Sequence, residues 1–84
     1  MDNELLVFGT TTCAPCKLLC SELDNLGVRY QKKMIDANVE DNDEAKEYGI
    51  CGNFPVVVLS GGIISKGYAK GKTAAKILEI LNRI

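Results

Sequence analysis

The apolar positions fall into short runs broken by segments of helical period. Residues 4 to 8, ELLVF, form one such run, closed by Gly9 and three threonines, which predicts a buried strand followed by a loop. From Ala14 to Leu26, the residues Cys16, Leu19, Cys20, Leu23 and Leu26 recur at helical spacing, and Gly27 supplies the stop. The helix therefore begins inside the stretch CAPC. Pro15 suits a first helical turn, where its missing N–H needs no partner, and Thr12 stands where a cap is expected.

Val28, Tyr30 and Met34 share one face of an expected second strand, which runs into the acidic segment IDANVEDNDE and a short helix near 41 to 48, closed by Tyr48-Gly49. FPVVVLSGGIISKG predicts a hairpin, two apolar strands joined across Ser60-Gly61-Gly62. A last helix spans Lys72 to Asn82, with Ala74, Ile77, Leu78 and Leu81 on one face and lysines and Glu79 on the other. The order β-α-β-α-β-β-α predicts an α/β fold with a four-stranded mixed sheet and three helices, built as one domain over 1–84. Helices between the first three strands imply parallel pairing there, and the last two strands are close enough to pair antiparallel.

Composition narrows the function classes. The 84 residues are 46% hydrophobic, enough to fold without a metal or disulfide staple. Net charge is −1 with no basic cluster, which argues against nucleic acid as a partner. The longest apolar run is too short to span a membrane, and the first residues, MDNELLVFG, carry acids where a signal peptide carries positive charge, so the expected location is the cytoplasm and the expected state a monomer. In a reducing compartment, four cysteines read as redox-active, metal-binding or buried free thiols before they read as a disulfide framework.

The chemistry centres on Cys13 and Cys16. A cysteine at a helix N-terminus faces unpaired N–H groups and the positive end of the helix dipole, which stabilise its thiolate. Lowering a thiol pKa from about 8.5 to about 7 raises the thiolate fraction at pH 7 from roughly 3% to roughly half. Cys16, one turn deeper on the core side, is placed to attack a mixed disulfide formed at Cys13. Pro15 stiffens the turn between them. Two other readings stay open: a cysteine-ligated metal site and an inert buried pair. Structural zinc usually takes four ligands in paired spacing, whereas Cys20 and Cys51 stand alone and the chain has no histidine. Cys20 reads as a small core residue on the face of Cys16, and Cys51 as a loop thiol, plain or redox-sensitive, four positions before Pro55. Tyr30 and Phe8 read as core, and the acids from Glu40 to Glu47 as a solvated helix start.

With these residues placed, the chain resembles the thioredoxin and glutaredoxin superfamily over nearly its whole length. CAPCK resembles the thioredoxin form of the active site, YGICGNFPVVVL resembles the segment leading into that family's cis-proline, and GGIISKGYAKGKTAAKILEIL is similar to its closing hairpin, glycine and helix. The resemblance implies a thioredoxin-like fold and dithiol–disulfide exchange, with Cys13 attacking and Cys16 resolving and no bound cofactor. It implies a cis Pro55, with the Phe54 backbone beside Cys13 ready to pair with an extended substrate segment. The substrate groove so implied is bordered by Thr12, Ala14, Pro15, Phe54, Pro55, Gly67 and Tyr68.

The departures are as specific as the matches. The chain lacks the N-terminal strand and helix of full thioredoxins, so its size resembles glutaredoxin or the small glutaredoxin-like reductants of ribonucleotide reductase. Thr12 stands where thioredoxins usually carry tryptophan, Val7 where they carry a buried acid, and Lys32 near a thioredoxin lysine. Thr10 stands where glutaredoxins carry lysine, and Lys66-Gly67-Tyr68-Ala69-Lys70 where they carry a double glycine with acids that hold glutathione. The expected partners are disulfide-containing proteins, ribonucleotide reductase among the candidates, with a thioredoxin-reductase-like or glutathione-based electron donor. A thioredoxin-fold binding module without turnover is the reading from a different class.

Overall fold

In the computed structural model, which describes residues 5–50, 52 and 54–83, the elements follow the expected order: β1 (Leu5–Gly9), α1 (Ala14–Asn25), β2 (Gln31–Met34), α2 (Val39–Glu47), β3 (Val56–Leu59), β4 (Gly62–Lys66) and α3 (Lys72–Asn82). The four strands form one mixed sheet in the order β2-β1-β3-β4. Cys51, read from sequence as a loop thiol, lies outside the described residues.

The two central strands explain the layering. LLVF and VVVL are apolar at every position and buried at every position, so each must be covered on both faces. Leu5 and Val7 of β1, with Val57 and Leu59 of β3, pack under Leu19, Cys20 and Leu23 of α1 and Ala74 and Ile77 of α3. The alternate residues Leu6, Phe8, Val56 and Val58 face the other way, where Ala45 of α2 and Ile50 cover them. Phe8 meets Tyr48 edge to face, with ring centroids 5.8 Å apart.

Strand direction departs from the expectation of parallel pairing among the first three strands. β1 and β2 are parallel, but β1 and β3 are antiparallel, with Phe8 opposite Val56 and Leu5 opposite Leu59. α2 and the segment after it bring the chain back to the end of the sheet where β2 finished, so β3 runs back along β1. β3 and β4 are antiparallel as expected. The turn between them consists of Ser60 and Gly61 alone, both at positive φ (51° and 85°), the conformation that matches the strand twist; Gly62 already belongs to β4.

The second strand is also shorter than its apolar pattern suggested. Val28 and Tyr30 precede it and pack against the α1/α3 core from a loop, because the Val28 N–H donates to Leu23 O (3.0 Å) at the end of α1 and the ladder with β1 starts only at Gln31. Tyr30 is half-buried, its hydroxyl donating to Cys20 O (3.2 Å) and Asp24 (2.9 Å). α2 begins at Val39, before the expected start near 41, because the Asn38 side chain accepts from the N–H groups of Glu40 (2.9 Å) and Asp41 (3.4 Å). α3 has the bounds read from its amphipathic stripe. Among the described residues, no helix is long and apolar enough to cross a membrane.

Leu23 is fully buried between α1 and the α3 side of the sheet. Leu23→Ala should lower unfolding free energy by about 2–5 kcal/mol, the range for a buried leucine whose cavity cannot collapse. Urea denaturation measures this; a loss well under 1 kcal/mol would contradict the packing described.

Candidate active site

The reactive pair sits where β1 hands over to α1. Cys13 is extended (φ −82°, ψ 105°) and is itself the N-cap of the 12-residue helix, its Sγ accepting from the Cys16 N–H at 3.3 Å. Thr12, the residue expected to cap, is exposed and one position too early, because the helix begins at Ala14. Pro15 lies in the first turn, as expected. The sulfur that carries the chemistry is therefore also the atom that satisfies one of the helix's free N–H groups, and a thiolate does this better than a thiol.

Cys13 and Cys16 form a disulfide with Cα atoms 5.3 Å apart. Their exposure differs sharply. Cys13 is half-buried at the rim, whereas Cys16 is 1% exposed and turned to the core. Cys16 fits there because of Gly9: a Cβ built at that position would stand 2.7 Å from Cys16 Sγ and 3.1 Å from its Cβ. A glycine that reads in the sequence as a strand end is thus the seat of the buried sulfur. Cys16 also lines a cavity of about 240 Å³ with Thr10, Lys17, Lys32 and Met34. Val7, at the place where the resemblance puts the buried acid of thioredoxins, is fully buried and apolar.

The loop that carries Cys13 is tied down from the turn that follows β2. Asp36 accepts from the Thr11 N–H at 2.9 and 3.1 Å and from the Thr11 hydroxyl at 2.7 Å. The hydroxyl bond first, and then the backbone bond, hold the Asp36 carboxyl below its ordinary value of 3.8. Nothing near Thr11 in the sequence marks this partner, which lies 25 residues on.

The second wall of the site comes from β3 and β4. The Phe54–Pro55 peptide is cis, as the resemblance implied. The register of Phe8 with Val56 puts Pro55 at the end of the sheet from which the Cys13 loop departs. The half-buried Phe54 ring packs on the α2-side core, as do Tyr48 and Ile35. Gly67 adjoins Pro55 directly, its N–H donating to Pro55 O at 2.8 Å. Tyr68, next along the chain, is half-buried: it packs on the α1/α3 core and its hydroxyl donates to Glu22 of α1, which holds the phenol above its ordinary pKa. Ala14 and Pro15 are exposed beside Cys13. Cys20 is buried in the core, where desolvation pushes its thiol up and makes it a poor nucleophile. Among the described residues, no group of three or more His, Cys, Asp and Glu is arranged to hold a metal ion.

The seat at Gly9 has a redox consequence. In the disulfide the Cys16 sulfur is tethered beneath Gly9, so a methyl group added there crowds the oxidised pair. Gly9→Ala should therefore penalise the oxidised form by about 1–3 kcal/mol and make the potential about 20–60 mV less negative, measured by equilibration in a glutathione buffer. An unchanged potential would contradict the seat. The Asp36 clamp has a pH consequence. Its depressed pKa means the clamp is complete above pH 3.8 and is lost as pH falls through the lower folded value. By NMR, the Thr11 amide should titrate with a midpoint below 3.8 and lose that titration in Asp36→Asn; the same titration in the variant would rule the clamp out.

Comparison with known proteins agrees with this geometry. The glutaredoxin family model matches residues 5–64. The crystal structure of the glutaredoxin Grx-1 from Archaeoglobus fulgidus is 29% identical with a TM-score of 0.67, covering 89% of this chain and 86% of that one. Mitochondrial thioredoxin 3 from Saccharomyces cerevisiae, in its oxidised form, is 28% identical with a TM-score of 0.69, covering 99% of this chain and 79% of that one. A variant of the thioredoxin-like protein BC3987 shares the fold at 20% identity and a TM-score of 0.74, covering 94% of this chain and all of that one. No curated protein sequence matches significantly. The mixed sheet and its three helices are a thioredoxin-like fold, and by a match that runs from β1 into β4 and includes Cys13 and Cys16, the chain belongs to the glutaredoxin family.

Proposed function

We propose that this protein is a dithiol–disulfide oxidoreductase of the cytoplasm that reduces protein disulfides. The observation that carries the reading is the asymmetry of the pair: an N-cap sulfur at the rim and a buried sulfur one turn behind it. In the reduced protein, the Cys13 thiolate attacks one sulfur of the substrate disulfide. A bond forms between them, the substrate S–S bond breaks, and one substrate thiolate leaves. Cys16, as thiolate, then attacks Cys13 Sγ; the mixed disulfide breaks, the second substrate thiolate leaves, and Cys13–Cys16 is oxidised by two electrons. The Cys16 proton leaves to water in the adjoining cavity, which Lys32 also lines. The substrate segment lies between Cys13 and the Phe54–Pro55 backbone, where extended pairing orients its disulfide.

The oxidised pair must be recharged by two electrons, from a thioredoxin-reductase-like flavoenzyme or from two glutathione molecules. Thr10 and the Lys66–Lys70 segment, in place of the usual glutathione contacts, favour the reductase. The same chemistry suits ribonucleotide reductase as one client among disulfide proteins.

Insulin reduction with dithiothreitol as donor tests the assignment. Cys13→Ser should fall to the uncatalysed rate, at least about 100-fold, while Cys16→Ser should accumulate a mixed disulfide at Cys13. Full activity in Cys13→Ser would refute the mechanism. Failure of Cys16→Ser to trap any disulfide substrate would instead support a binding module without turnover.

A further inference from the structure

The mechanism leaves Glu22 of α1 unused. Glu22 lies six residues beyond Cys16 on the same helix, roughly 9 Å along its axis, and its two carboxylate oxygens are both engaged across the fold. One accepts from the Tyr68 hydroxyl, the other from the Gly71 N–H at 3.1 Å. Gly71 is the N-cap of α3, at φ 73° and with no side-chain cap of its own, so Glu22 also brings a negative charge to the positive end of that helix. Earlier in the same segment, the Gly67 N–H donates to Pro55 O (2.8 Å), and the Ala69 N–H donates to Thr73 Oγ1 (2.9 Å).

The segment Gly67–Gly71 is therefore held from both sides of the groove. At one end it meets Pro55, which stands at the end of the sheet from which the Cys13 loop departs; through Tyr68 and Gly71 it meets the helix that carries the pair. We propose that Glu22 is a specificity-determining positioning residue, whose grip on Tyr68 and Gly71 fixes the distance between α1 and the Pro55–Gly67 wall and so selects extended protein segments as substrates. This inference rests on the protein-disulfide reading above. A small disulfide needs only the Cys13 sulfur, but a protein segment must fit between two walls whose spacing Glu22 sets. The carboxylate is suited to the task because it accepts two hydrogen bonds at once, while the amide of glutamine can accept only on its oxygen and turns an N–H₂ towards one of the two donors.

Steady-state kinetics of Glu22→Gln with insulin and with bis(2-hydroxyethyl) disulfide test this. The KM for insulin should rise about five- to tenfold, the loss expected for one charge-assisted hydrogen bond, with kcat for the small disulfide within twofold of the unaltered protein. Tyr68→Phe, which removes only the hydroxyl, should raise the insulin KM in the same direction, and the double variant should be no worse than the more impaired single one, as for two ends of one interaction. Equal insulin KM values in Glu22→Gln and the unaltered protein would overturn the positioning role, as would an equal loss on both substrates, which marks a purely structural residue. If the unaltered protein reduces the small disulfide but not insulin, the protein-disulfide reading itself falls, and this inference with it.

Discussion

The structure depends on two strands that have no polar face. β1 and β3 are apolar at successive positions and lie side by side at the centre of the sheet, so neither face can be left to water. Each buried valine or leucine contributes about 1.5–3 kcal/mol only if something covers it, and with 84 residues the cover must come from three short helices. α1 and α3 close one face and α2 the other. Once α1 is pressed onto the sheet directly after β1, its first turn must stand at the sheet's end, and Cys13 is brought there by the same packing that holds the core.

The chemistry is arranged by small accommodations around that handover. Gly9 removes a side chain where the Cys16 sulfur must sit, and Asp36, just past the end of β2, holds Thr11. Antiparallel β3 brings Pro55 to the same end. These features come from distant parts of the chain, and they converge because β1 is flanked by β2 on one side and β3 on the other.

The elements with a strong local signal were legible in the sequence. α3 has an apolar stripe and a polar face, and its limits matched; the cysteine pair at a strand-to-helix junction was equally plain. What was not legible depended on partners far away in the chain. β2 is an edge strand of sequence QKKM, paired on one side only, so it carries no apolar alternation, and the pattern drew its start back to Val28 and Tyr30, which pack from a loop. The direction of β3 is not legible because a helix between two strands does not state to which end of the sheet the chain returns. Thr11 with Asp36, and Glu22 with Tyr68, are separated by 25 and 46 residues, so neither pair shows in any local window. Thr12 looked the better cap by residue type; the backbone gave that place to Cys13 instead.

That exchange of places means that one sulfur both begins a helix and performs the reaction. As a thiolate it accepts strongly from the Cys16 N–H; once joined to another sulfur it is neutral and accepts weakly. In the oxidised protein the contact persists beside the Cys13–Cys16 bond, so the start of α1 is held in both states, by a charge-assisted hydrogen bond in one and by a covalent bond across its first turn in the other. Capture of Cys13 by a group other than Cys16 removes the thiolate without closing that turn, so the mixed disulfide is the state in which the helix start is held least.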